Sequence, residues 1–150
     1  MPVGIMVLRL VLSVALSGIV GLQRELGRKP AGLRTHILVG LGSTVFMILS
    51  VELLRGTGID PTRIAAAVIT GMGFLGAGTI FRTQGTIHGL TTAASLWVIA
   101  GIGMAVGVGY YLLALIAAAL AFIVLQVFGI VENFFERGRK SPSDDSDKNQ

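Results

Sequence analysis

Between Val3 and Val131 the chain is almost continuously apolar, in runs long enough to cross a bilayer and broken only by short polar connectors. A helix needs about 20 mostly apolar residues to span the hydrocarbon core, and this sequence offers about five such runs. No soluble core could hide so much apolar surface, and an exposed patch of that extent would aggregate in water. Charged residues make up only 13% of the chain. Soluble domains usually carry about 25%, so the deficit agrees with a chain that lives in lipid.

The expected fold class is therefore all-α, a polytopic membrane bundle with about five transmembrane helices. The expected spans are Val3 to Leu22, Ile37 to Leu54, Ile64 to Phe81, Thr91 to Val108 and Tyr110 to Val131. Arg9 lies inside the first run, which continues through Gly21 and Leu22, so this run is read as a retained span and not as a cleaved signal peptide. Arginine and lysine alternate along the connectors: heavy after the first span, light after the second, moderate after the third, absent after the fourth and heavy after the fifth. The positive-inside rule then places the N-terminus outside and the C-terminus in the cytoplasm. Residues 1–136 form the transmembrane domain. Residues 137–150, polar and without apolar partners, are expected to be a disordered cytoplasmic tail.

The formal charge of +4 sits at the ends of apolar runs, which is a membrane pattern and argues against nucleic-acid binding. The chain has no cysteine, which excludes disulfides, thiolate nucleophiles and cysteine metal sites. Gly71-Met72-Gly73-Phe74-Leu75-Gly76 matches a dinucleotide-binding fingerprint letter for letter, but that motif needs a strand before it and an acidic residue about 20 positions on. Neither is expected here. Gly71, Gly73, Gly76 and Gly78 instead leave the third span nearly without side-chain bulk, as at helix–helix interfaces in lipid. Ala93, Ala100, Gly103 and Gly107 repeat the pattern in the fourth span, so these two spans are expected to form the tightly packed centre. Gly107 and Gly109 are expected to make the tight turn into the fifth span.

Arg9, Ser13, Ser17, Gly21 and Glu25 recur every four residues along the first span. Arg9 is an intramembrane charge that costs about 3 kcal/mol unless it snorkels or finds a partner, for which Glu52 and Asp60 stand at the same surface. At the opposite surface Arg24, Glu25, Arg34, His36, Arg82 and His88 fall at one level. Two helices are expected to start there, capped near Thr35 and Thr91-Thr92, and the summed field suits an anion, with lipid headgroups the simplest one. Glu25 is expected to pair with Arg24. The few membrane carboxylates, Glu25, Glu52 and Asp60, are split between the two faces, so no metal site and no cofactor are expected. No nucleophile–base pair stands at usable spacing, so no enzyme is expected.

Three ordered blocks carry a family resemblance. Gly21-Leu22-Gln23-Arg24-Glu25-Leu26 followed by Ala31-Gly32-Leu33-Arg34-Thr35-His36 forms the first. Asp60-Pro61-Thr62-Arg63-Ile64-Ala65-Ala66, running into Gly71 to Gly78, forms the second, and Gly89-Leu90-Thr91-Thr92-Ala93-Ala94-Ser95-Leu96-Trp97 the third. Together they resemble the MgtC/SapB family of bacterial membrane proteins over about residues 3 to 130. The resemblance implies a five-span, multi-pass protein of the bacterial inner membrane, associated with magnesium homeostasis, acid or host stress and, in some pathogens, virulence. It also implies a regulator of another inner-membrane protein, of the ATP synthase or cation-transport ATPase type. Many members carry a further soluble ACT-like domain; here a short polar tail follows the last span, and the resemblance covers the transmembrane part alone. The motif residues carried over are Arg24, Glu25, Arg34, Thr35, His36, Asp60, Arg63, Thr91, Thr92 and Trp97, with the four glycines of the third span.

The leading reading is a regulatory, stress-adaptation protein that packs against a partner in the bilayer; the small-residue faces suit a homodimer as well. The alternative is a small transporter or channel for Mg²⁺ or another ion, with Arg9, Glu25, His36, Glu52 and Asp60 along the path.

Overall fold

A computed structural model describes residues 1–58, 60, 62–83 and 85–139; for residue 128 and residues 130–139 it describes the helical backbone alone. Five helices account for most of these residues: α1 (Val3–Leu26), α2 (Leu33–Leu53), α3 (Thr62–Thr79), α4 (Leu90–Val108) and α5 (Tyr111–Arg139). Three of them, α1, α2 and α4, are long and apolar enough to cross a membrane. In α5 the apolar stretch runs over Tyr111–Val127. The helix itself continues to Arg139, and the rest of the expected tail, residues 140–150, lies outside the described residues.

Successive helices run up and down. Arg9 of α1 meets Gly107 near the end of α4, and Arg24 of α1 meets Thr92 near its start, so α1 and α4 are antiparallel. Gln23 of α1 reaches the Leu125 carbonyl of α5, so those two run side by side in one direction. Outward faces are rich in large apolar side chains, among them Val11, Phe74, Leu112 and Leu115. A water-soluble protein rarely exposes apolar patches beyond a few hundred Å². This belt is what a helical bundle presents to lipid.

The centre of the bundle is α1, α2 and α4, which corrects the expectation that α3 and α4 form it. Half of the α4 span (50%) is buried within the chain, against 22% of the α1 span. An uncharged helix that is apolar all round belongs in the interior, and α4 is such a helix. Leu16, Val20, Ile99, Ile102, Val106, Ala114 and Ala118 pack together from α1, α4 and α5. A smaller cluster of Ala31, Met72, Leu96 and Ala100 brings in α3.

The glycines that allow close approach are likewise not those of α3. A Cβ on Gly103 would run into the Gly40 carbonyl of α2, and one on Gly107 would lie 2.7 Å from Met47 Cβ. A Cβ on Gly21 would lie 2.8 Å from His36 Cβ, so α1 meets α2 in the same way. In α3 only Gly76 faces a neighbour, Ala93 at 3.5 Å; Gly71, Gly73 and Gly78 have open space where a Cβ would point. Glycine count in a helix does not decide packing; what lies opposite does.

One local expectation changes, and one connector has structure of its own. Gly109 alone turns α4 into α5: its φ is +102°, its N–H bonds back to the Ala105 and Val106 carbonyls, and Tyr110 N–H bonds to Ala105. That is the Schellman pattern, whereas Gly107 stays helical and buried. The connector after α3 is a small antiparallel hairpin of β1 (Phe81–Thr83) and β2 (Thr86–His88), pairing Phe81 with His88 and Thr83 with Thr86. Gly85, at φ +86°, supplies the positive φ that a two-residue turn demands. The Phe81 and His88 rings stack with centroids 5.4 Å apart.

Gly103→Ala should cost about 1–3 kcal/mol as an overpacked core position, because backbone stands opposite. Gly73→Ala should leave stability unchanged or slightly raised. Thermal unfolding in detergent micelles, followed by helical circular dichroism, separates the two.

Candidate functional site

The end of the bundle where α1 stops and α2 and α4 begin gathers the largest share of the motif residues. Arg24, on the last turn of α1, is 4% exposed. Its guanidinium donates from Nη2 to Thr92 Oγ1 at 2.8 Å, and its Nε is buried without a partner. His36 is fully buried. Its Nδ1 lies 2.8 Å from the Gly32 carbonyl, which can only accept, so Nδ1 carries a hydrogen. Its Nε2 lies 3.1 Å from Ser95 Oγ, and Ser95 Oγ lies 2.8 Å from the Thr92 carbonyl. With Nε2 unprotonated the serine hydroxyl donates to the ring; with Nε2 protonated it turns to the carbonyl. Arg24, His36, Thr92 and Ser95 thus form one buried polar chain across three helices.

Glu25 does not pair with Arg24. Neighbours in sequence point about 100° apart on a helix, and here they diverge. Glu25 Oε2 accepts from the Leu33 backbone N–H at 2.9 Å, capping the first turn of α2. A carboxylate suits a helix N-terminus, where unpaired N–H groups carry partial positive charge. Gly32 makes this fit, because a Cβ there would occupy the position of the Glu25 carboxylate. The expected threonine caps are also corrected. Gly32 precedes α2 and Gly89, at φ +89°, precedes α4, and neither N-cap residue makes a side-chain cap bond of its own; Thr35, Thr91 and Thr92 lie inside the first turns. Thr92 points inward, while Thr91, Thr35 and Arg34 are exposed.

Asp60 and Arg63 stand at the other end of α3, about 27 Å away along its 18 residues. Asp60 accepts from the Thr62 hydroxyl at 2.6 Å and from the Thr62 backbone N–H at 2.8 Å, fastening the start of α3. The Thr62 hydroxyl, then its N–H, hold the Asp60 carboxyl below the usual carboxylate range. Arg63 is exposed. Arg9 neither snorkels free nor pairs with Glu52 or Asp60. Its Nη1 donates to the Gly107 carbonyl at 2.6 Å and its Nε to Tyr111 Oη at 3.1 Å. A cation is favoured at a helix C-terminus, so Arg9 ties α1 to the end of α4 and the start of α5. Glu52 is held by the Met1 amino group at 2.6 Å and Arg55 at 3.3 Å. Trp97 faces outward from α4, 55% exposed and apart from the cluster.

Between the two ends lies a second polar knot that the site residues above do not include. Thr44 Oγ1 lies 2.8 Å from Ser13 Oγ, 2.9 Å from the Gly40 carbonyl and 2.8 Å from the Gly103 carbonyl. Ser13, Ser17 and Gly21 are buried on the face of α1 turned toward α2, as their four-residue spacing allows. Ser17 Oγ is buried without a hydrogen-bond partner. Ser95 and Thr44 carried one sequence signal, a hydroxyl within an apolar run. Among the described residues no three histidines or carboxylates come together as a metal site would require.

Comparison with known proteins agrees with the motif blocks. The MgtC family model matches residues 10–134. YhiD of Escherichia coli K12 is 47% identical over 128 residues, covering 81% of this chain and 60% of that protein. Protein MgtC of Brucella abortus is 42% identical over 109 residues, covering 73% of this chain and 44% of that protein. Protein SapB of Bacillus subtilis is 39% identical over 127 residues, covering 80% and 54%. The chain therefore spans about half the length of these relatives. No solved structure matches it at a significant level.

Two measurements test the geometry. Thr92→Val should destabilise the protein by about 1.5–3 kcal/mol, the range for a hydrogen bond to a charged group, while Arg24→Leu combined with Thr92→Val should cost less than the two changes added. Because the folded Asp60 carboxyl is depressed, its contribution is present above about pH 4 and is lost as pH falls through the folded value. Asp60→Asn should therefore weaken the protein at neutral pH, and the gap to wild type should close in acid. The family model and these relatives show that the chain belongs to the MgtC family, and its long apolar helices mark it as a membrane protein.

Proposed function

We propose that this chain is a regulatory protein of the bacterial inner membrane that supports growth under low Mg²⁺ or related stress by packing against a partner in the bilayer. In this reading all five helices span, with the N-terminus outside and the C-terminus in the cytoplasm, as the basic connectors demand. One observation carries the proposal. Ala66, Thr70, Gly73 and Ala77 form an exposed line of small residues along the outer side of α3. They recur at three- and four-residue spacing and so share a face, and Gly73 meets nothing within the chain. Small faces in lipid associate by close van der Waals packing with another helix. A partner of the ATP synthase or cation-transport ATPase type, or a second copy of the chain, would supply that helix.

A second reading, transport of Mg²⁺ or another ion, has one specific support: the Escherichia coli relative is named "Putative magnesium transporter YhiD". Against it, the buried polar side chains largely bond to one another, and Glu25 and Asp60 each hold a helix start.

The test is growth at limiting Mg²⁺ of a deletion strain complemented with Gly73→Leu. The added side chain fills no space within the chain, so the protein should fold and insert yet lose complementation by at least about tenfold, the effect of about 1.4 kcal/mol at a helix contact. Full complementation by inserted Gly73→Leu would contradict docking through this face.

A further inference from the structure

Helices α2 and α3 diverge around an apolar cleft of about 600 Å³, lined by Leu38, Val39 and Phe46 on one side and Ile64, Val68 and Leu75 on the other. Thr35 stands at one end, and Met72 lines the wall beside Gly42 and Gly71. We propose that this cleft holds one acyl chain of an anionic glycerophospholipid, with its phosphate at Arg34 and Thr35. The cleft lies on the opposite side of α3 from Gly73, so this binding does not rest on the docking face.

The length of the cleft and the charge at its end point to a lipid chain. From Thr35 to Phe46 the cleft follows eleven residues of α2, about 16 Å, which is one leaflet of a core about 30 Å thick. An apolar cleft open within the bilayer is filled by what surrounds it, and an extended chain matches its shape. Charge selects the headgroup. Arg34 is exposed beside Thr35 and has no ion pair or hydrogen-bond partner among the described residues. Arg28 and Lys29 stand in the connector that leads into α2, while Glu25 is engaged at Leu33. Basic side chains at a membrane surface favour anionic lipid.

The experiment uses the full chain in vesicles of phosphatidylethanolamine doped with diazirine-acyl phosphatidylglycerol, with labelled residues mapped by mass spectrometry. Labelling should concentrate on Leu38, Val39 and Met72. Gly42→Leu and Gly71→Leu fill the cleft from positions with open space and should remove that labelling, leaving the outer α5 residues Leu112 and Leu115 labelled as before. Arg34→Gln, a surface change, should lower cleft labelling by phosphatidylglycerol about fivefold and leave labelling by a phosphatidylcholine analogue unchanged. Uniform labelling of cleft and α5 in every variant would mean surrounding lipid only and overturn the proposal. So would an unlabelled cleft with chain-to-chain cross-links at Phe46, which would make a second copy the occupant.

Discussion

The architecture depends on α2 and α4 lying closer than side chains would allow. Gly103 and Gly107 remove the Cβ atoms that would hold the two backbones apart, Gly40 does the same toward Ser17 of α1, and Thr44 reaches from α2 to the Gly103 carbonyl. Helices in lipid gain nothing by hiding apolar surface from one another, since the acyl chains are as apolar as leucine. Dispersion at close range and hydrogen bonds must therefore do the holding. Each requires the glycines first.

The same contact organises the polar groups. With α2 and α4 close, α1 lays Ser13 against Thr44 and Arg24 against Thr92, and His36 reaches Ser95. A polar group left alone in hydrocarbon costs several kcal/mol, so these pairings favour one arrangement of the three helices over any rotated one. Glu25 and Asp60 act at the edges, each holding the start of a helix. The outer surface of the described residues presents the small line on α3, the cleft between α2 and α3, and Arg34. On this reading the interior is occupied with its own structure, and recognition is left to the outer surfaces.

Much of this was legible from particular residues. Runs of apolar residues place the five helices, and the four-residue spacing of Ser13, Ser17 and Gly21 marks the face of α1 that turns inward. The blocks around Arg24, His36 and Thr92 mark a place where three helices meet. Other features were not legible, for identifiable reasons. Glycine spacing reports a small face but not its neighbour, so the sequence points to glycine-rich α3 as central when α2 supplies the contact. Adjacency suggested an Arg24–Glu25 pair, whereas helix geometry sends the two side chains to different elements. The hairpin at Phe81–His88 is too short for alternation to stand out, although Gly85 in a two-residue turn was its signal.

The most direct measurement is Mg²⁺ flux into proteoliposomes containing the purified, folded chain, with His36→Ala as the control for a path through the polar interior. A bundle whose interior polar groups largely bond to one another predicts no saturable flux in either protein. Saturable uptake that falls in His36→Ala would mean that the interior conducts, and would contradict a protein that acts through its outer faces.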